Sequence, residues 1–66
     1  MTKKDFLDEC YNRGFTVITK KHNIGEWNEH TTYSVMTRPW HVVEVVNQSK
    51  GERVNWLHAY NAVGVL

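Results

Sequence analysis

The chain has 66 residues, eight Lys and Arg against seven Asp and Glu, one cysteine, and three Trp, three Tyr and two Phe. A single cysteine excludes an intrachain disulfide framework, and a net charge of +1 excludes a general electrostatic pull toward nucleic acid, which depends on neutralising several phosphates together. A chain this short buries only roughly 60% of the surface it exposes when unfolded, so the expectation is a single domain over 1–66 whose thin core leans on its aromatic rings.

Residues 2–13 read as a helix. Thr2 stands at N-cap with Asp5 three positions on, Phe6 with Cys10 and Leu7 with Tyr11 form i,i+4 pairs on one face, and Gly14 ends the run as a C′ glycine. Residues 15–21 are β-branched and follow directly as a strand, in a β-rich part spanning 15–66. Residues 22–30, polar around Ile24 and Trp27, form a long loop, and 31–37 a second strand. Pro39 interrupts the ladder, because it has no N–H to donate. Beyond it, 42–46 and 53–57 alternate around Gln48 to Gly51, which predicts a hairpin with Val45 opposite Val54, Val43 opposite Trp56 and His41 opposite His58. Residues 63–66 make a short fifth strand. A helix competes for the tail: Ser49 and Glu52 have capping-box spacing, and Val54, Leu57 and Tyr60 form a stripe over 53–61. The β-branched run before the turn favours the hairpin, so the expected fold is α+β, an N-terminal helix followed by a mainly antiparallel four- to five-stranded sheet.

The run from Gly51 to Leu66, GERVNWLHAYNAVGVL, resembles the end of an SH3-like barrel, where a strand passes through a short 3₁₀ turn holding a Tyr and an Asn into a last apolar strand. Loop 22–30 would then take the place of the long loop between the first two barrel strands. The opening Ala-Leu-Tyr-Asp-Tyr type motif is missing, the 3₁₀ turn has no Pro, and a helix precedes the strands. The resemblance therefore implies the small-barrel fold and not recognition of proline-rich peptides.

Chemistry has few candidates. Cys10 lies on an apolar helix face without a neighbouring base, which reads as a buried structural thiol. His41 and His58, opposed in the predicted hairpin, could share a metal, but a structural site needs four ligands, so they read as rim residues. His22 and His30 flank a loop holding Glu26 and Glu29, a set that could make a weak transition-metal site and reads rather as a polar loop. No phosphate cradle, nucleophile elbow or carboxylate pair in contrasting environments is present, so neither an enzyme nor a cofactor is expected.

Binding remains. Trp27 sits in a polar loop, where a large aromatic has little folding reason to be, and Trp40 follows Pro39 at a strand entrance; such aromatics often anchor interfaces, the alternative being that both fold back to cover the thin core. The reading is a small non-enzymatic protein-binding module, an inhibitor, adaptor or assembly subunit of the kind found among phage and mobile-element accessory proteins. The candidate binding residues are Trp27, Tyr33, Trp40, Tyr60, Lys20 and Lys21. The alternative is a nucleic-acid-binding barrel, with those aromatics stacking bases and Lys20, Lys21, Arg38, Lys50 and Arg53 meeting phosphates. A homodimer through strand edges is a third arrangement. With no apolar run of about 18 residues and no cleavable leader, the expected location is cytoplasmic, without a membrane partner.

Overall fold

The computed structural model describes residues 1–64. Helix α1, Lys3–Asn12, is followed by strands β1, Thr16–His22, β2, His30–Arg38, and β3, His41–Ser49, and by helix α2, Trp56–Gly64. The strands form one antiparallel sheet in the order β1-β2-β3. The class is α+β, as expected, but the sheet has three strands and is not closed, so neither a fourth and fifth strand nor a barrel is present among the described residues.

α1 begins and ends as its caps dictate. The Asp5 amide donates to Thr2 Oγ1 at 3.2 Å, and the Thr2 amide donates back to Asp5 Oδ2 at 3.0 Å, a closed capping box. At the other end Gly14 adopts φ 78°, and the Gly14 and Phe15 amides donate to the carbonyls of Tyr11 and Cys10, each at 2.9 Å. These two bonds form a Schellman motif, which turns the chain directly into β1.

The largest correction concerns the tail. The partner of β3 is β2, joined through Pro39 and Trp40 with Arg38 opposite His41. Proline suits this position: its φ is preset and no ladder bond is needed from its nitrogen, while Trp40 takes φ 67°. That is the sign pattern of a type II turn. Two register shifts leave Thr37 on β2 and Val45 on β3 as extra residues, adding twist near this corner.

The expected strand 53–57 is instead the lead into α2. Asn55 Oδ1 accepts from the His58 amide at 3.0 Å and the Asn55 carbonyl from the Ala59 amide at 3.1 Å, so Asn55 acts as N-cap. Trp56, Ala59, Tyr60 and Val63 then form the packed stripe. Ser49 and Glu52 start no helix; their reciprocal bonds close a tight turn in which Gly51 has φ 79°. The opposition of His41 to His58 and of Val43 to Trp56 therefore does not occur: His58 is on α2, and Val43 faces Val35. Of the expected fifth strand, Val63 and Gly64 belong to α2, and residues 65–66 lie outside the described residues.

Both helices cover one face of the sheet. The core consists of Phe6 and Cys10 from α1, Tyr33, Val35 and Val46 from the sheet, and Ala59 and Val63 from α2. Trp56 stacks at a tilt against Phe6, with ring centroids 5.3 Å apart, and meets the Tyr33 ring edge-on at 5.2 Å. Such aromatic contacts contribute about 0.5–1.5 kcal/mol each beyond area burial. Cys10 is fully buried and unpaired, and burial pushes its thiol above the usual range.

Candidate functional site

Side chains alternate between the faces of a strand, so the register decides what the uncovered face carries. Tyr33 and Val35 point to the helices. Their neighbours on β2, His30, Thr32, Ser34 and Met36, therefore occupy the open face. Across the ladders these meet His22 and Ser49, then Lys20 and Asn47, then Ile18 and Glu44, then Thr16 and Val42. One half of the face is thus polar and basic, and the other, toward the Pro39–Trp40 turn, contains Ile18, Met36 and Val42.

At the polar end, loop 23–29 and turn 49–52 come together, tied by the Lys50 amide donating to the Glu29 carbonyl at 3.2 Å. Between them lies a groove of about 370 Å³, lined by Trp27, Asn28, Glu29, His30, Asn47, Ser49 and Lys50. Loop 23–29 is braced internally. Asn23 and Gly25 both have positive φ, the Gly25 amide donates to Glu29 Oε1 at 2.8 Å, and the Glu26 amide to the Asn23 carbonyl at 3.0 Å. This bracing presents Trp27 with 95% of its surface exposed.

His22 and His30 close the mouth of the loop as a cross-strand pair, their rings stacked 4.7 Å apart and within 10° of parallel. His30 Nδ1 donates to the Asn28 carbonyl at 2.9 Å, and His22 Nε2 lies 3.0 Å from Thr32 Oγ1. Nitrogen lone pairs lie in the ring plane, so parallel stacked rings do not converge on one metal ion. No cluster of three or more His, Cys, Asp or Glu side chains suited to a metal occurs among the described residues. The pair instead fastens the base of the loop.

The candidate binding residues from the sequence do not form one site. Tyr33 is in the core, 4% exposed. Tyr60 packs on the helix side, with the Arg13 guanidinium 4.9 Å from its ring centroid. Lys20 and Lys21, adjacent in sequence, point to opposite faces, and only Lys20 shares the face of the groove. Trp40 is 99% exposed at the opposite end of β2 from Trp27. The nine residues of β2 put those two ends roughly 26 Å apart. Of the residues that line the groove, His30 reads in the sequence as part of a polar loop and Ser49 as a cap, and Asn47 carries no signal of its own. Their alternation on one face becomes visible only once β3 is paired with β2.

Comparison with protein-family models, with curated proteins and with solved structures finds no match for this chain.

Proposed function

We propose that this protein is a small non-enzymatic protein-binding module, serving as an inhibitor, adaptor or assembly subunit, that engages its partner through the open face of the sheet. The observation that carries this reading is the pair of tryptophans, 95% and 99% exposed, at the two ends of that sheet. Trp40 also holds a left-handed backbone conformation, which costs a bulky L residue about 1–3 kcal/mol and brings no packing in return. Large aromatics desolvated at an interface are the usual hot spots. The groove beside Trp27 is open and shallow, a shape that suits a contact surface better than an enclosed small-molecule pocket.

The test is affinity capture from the native host with mass-spectrometric identification, followed by Trp27→Ala and Trp40→Ala. Both variants should keep the far-ultraviolet circular dichroism and melting behaviour of the parent, yet weaken the captured complex by about 2 kcal/mol each. Variants that bind the partner as the parent does would remove the proposal.

Single-stranded nucleic acid is the second reading, favoured by Lys50 beside Trp27 in the groove lining, the mixture that stacks bases and meets phosphates. Salt separates the two. An interface led by aromatic burial should change little between roughly 50 and 200 mM salt, whereas one making several phosphate contacts loses orders of magnitude.

A further inference from the structure

His22 and His30 are the last cross-strand pair of the β1–β2 ladder, and loop 23–29 is the chain that joins them. Both rings are half-buried and stacked 4.7 Å apart, so a charge placed on one is felt by the other. Their hydrogen bonds each tolerate a proton. The Asn28 carbonyl can only accept, so His30 Nδ1 already carries a hydrogen and Nε2 is where a further proton goes. The Thr32 hydroxyl can accept as well as donate, so His22 Nε2 keeps its bond at 3.0 Å in either state. Nothing in these bonds opposes one positive ring; what opposes two is the stack.

The charged groups around the pair do not cancel that repulsion. On β1, Lys20 shares the face of His22 and Lys21 takes the other. The sheet otherwise brings neutral neighbours, Thr32 on β2 with Ser49 and Asn47 on β3, and both helices lie on the far face. The loop brings Glu26 and Glu29, and turn 49–52 brings Lys50 and Glu52. The ion pair found among the described residues is Lys4 with Asp8 on α1, so none of these carboxylates sits at ion-pair distance from either imidazole. Three carboxylates against the lysines at 20 and 50 compensate one added proton and not two.

We propose that the His22–His30 stack is a proton-operated latch on loop 23–29. With at most one ring charged it holds the base of the loop; with both charged, as pH falls below about 6.5 where free imidazoles take up protons, the rings part and the loop is released. The end of a two-strand ladder is where local opening costs least. The Gly25 and Glu26 amide bonds keep the loop's own shape, but the other tie at its base is the single bond from the Lys50 amide to the Glu29 carbonyl. Trp27 stands midway along this loop, so the latch sets whether its indole is presented from a fixed frame or a mobile one. The switch belongs to the free protein and stands apart from the binding-module reading.

The test is an NMR titration of the intact, isotopically labelled protein from about pH 7.5 to about pH 5, a window in which imidazoles change charge and free carboxylates largely do not. Ring shifts report the charge of each histidine, ring-to-ring nuclear Overhauser contacts report the stack, and ¹⁵N relaxation reports loop order. The ring contacts should vanish as the second histidine charges, and the order parameters of the Gly25, Glu26 and Trp27 amides should fall from about 0.85 to below about 0.6 while those of α1 and Val35 stay unchanged. His22→Phe keeps a ring for stacking and the Asn28 bond of His30 but leaves the pair a single proton to take up, so its loop should stay ordered throughout. Rings still stacked with both charged would overturn the latch. So would loosening of the His22→Phe loop at the parent's pH, which would assign the change to Glu26 or Glu29, or loss of order in the whole chain together. If His22→Phe folds poorly because Thr32 loses its partner, the parent titration decides alone: loop order that falls with the second proton supports the latch, and order that follows neither proton sinks it.

Discussion

Trp56 and the two other tryptophans meet opposite fates in this fold. Trp56 lies between the Phe6 and Tyr33 rings, joining α2 to α1 and to the middle strand, so its burial is what holds the second helix down. Trp27 and Trp40 have no aromatic partner among the described residues and expose nearly their whole surface. The same side chain serves the fold at one position and is left unused by it at two others. The covered face is closed on itself by the two helices, and no helix among the described residues covers the other.

That contrast is sharpest where it concerns stability. Phe6→Ala, at a fully buried position, should cost about 3–5 kcal/mol and Trp56→Ala about 3 kcal/mol, close to the whole stability of a domain this small. Chemical denaturation would show both largely unfolded in buffer; a parent-like midpoint for Trp56→Ala would mean that α2 is not held by this ring.

Opposite behaviour is expected at Trp40. Asn tolerates the left-handed region, so Trp40→Asn should raise stability by about 1 kcal/mol although it deletes one of the three largest side chains of the protein. A fall in melting temperature would show that the indole packs on the sheet and belongs to the first class.

Thr2→Ala should lower stability by about 1 kcal/mol through loss of the α1 cap. Asp5 adds a pH signature. The Thr2 amide and then the Thr2 hydroxyl bond to it and hold its carboxyl below the ordinary value of 3.8. A carboxyl whose folded value is depressed contributes above its unfolded value, so the contribution is complete above 3.8 and lost as pH falls through the lower folded value. Asp5→Asn should flatten that acid-side dependence, as thermal melts across the window would read. The smallest effect belongs to Trp27→Ala, within about 0.5 kcal/mol of the parent, because a ring almost wholly in water has little packing to lose.

Local signals were legible in the sequence where local forces decide. The Thr2–Asp5 box, the Gly14 terminator and the first two strands, to within a residue or so at each end, all follow from hydrogen bonds and propensities that operate over a few positions. Trp27 could also be read there, since a polar loop gives an indole little to pack against, whereas the exposure of Trp40 follows from the turn between β2 and β3. Two local signals in the tail were outweighed by others. Asn55 as cap and the 56, 59, 60, 63 stripe were available, but Ser49 with Glu52 offered a rival cap and the valines of 42–46 an attractive strand partner.

Choosing the partner of β3 was a tertiary matter. Alternation shows that a strand has two faces and says nothing about which neighbour it joins, and both candidate hairpins would have satisfied the valines. Pairing with β2 leaves residues 56–64 free to coil, and Trp56 reaches Phe6 and Tyr33 only as the first turn of a helix laid over the sheet. The same choice set Val46 beside Tyr33 in the core, whereas the opposite faces of Lys20 and Lys21 follow from alternation along β1 and the distance between Trp27 and Trp40 from the length of β2. Composition and caps determined that this is an α+β chain with aromatics to spare; strand pairing, which depends on the burial gained by the whole assembly, decided which of them remained on the surface.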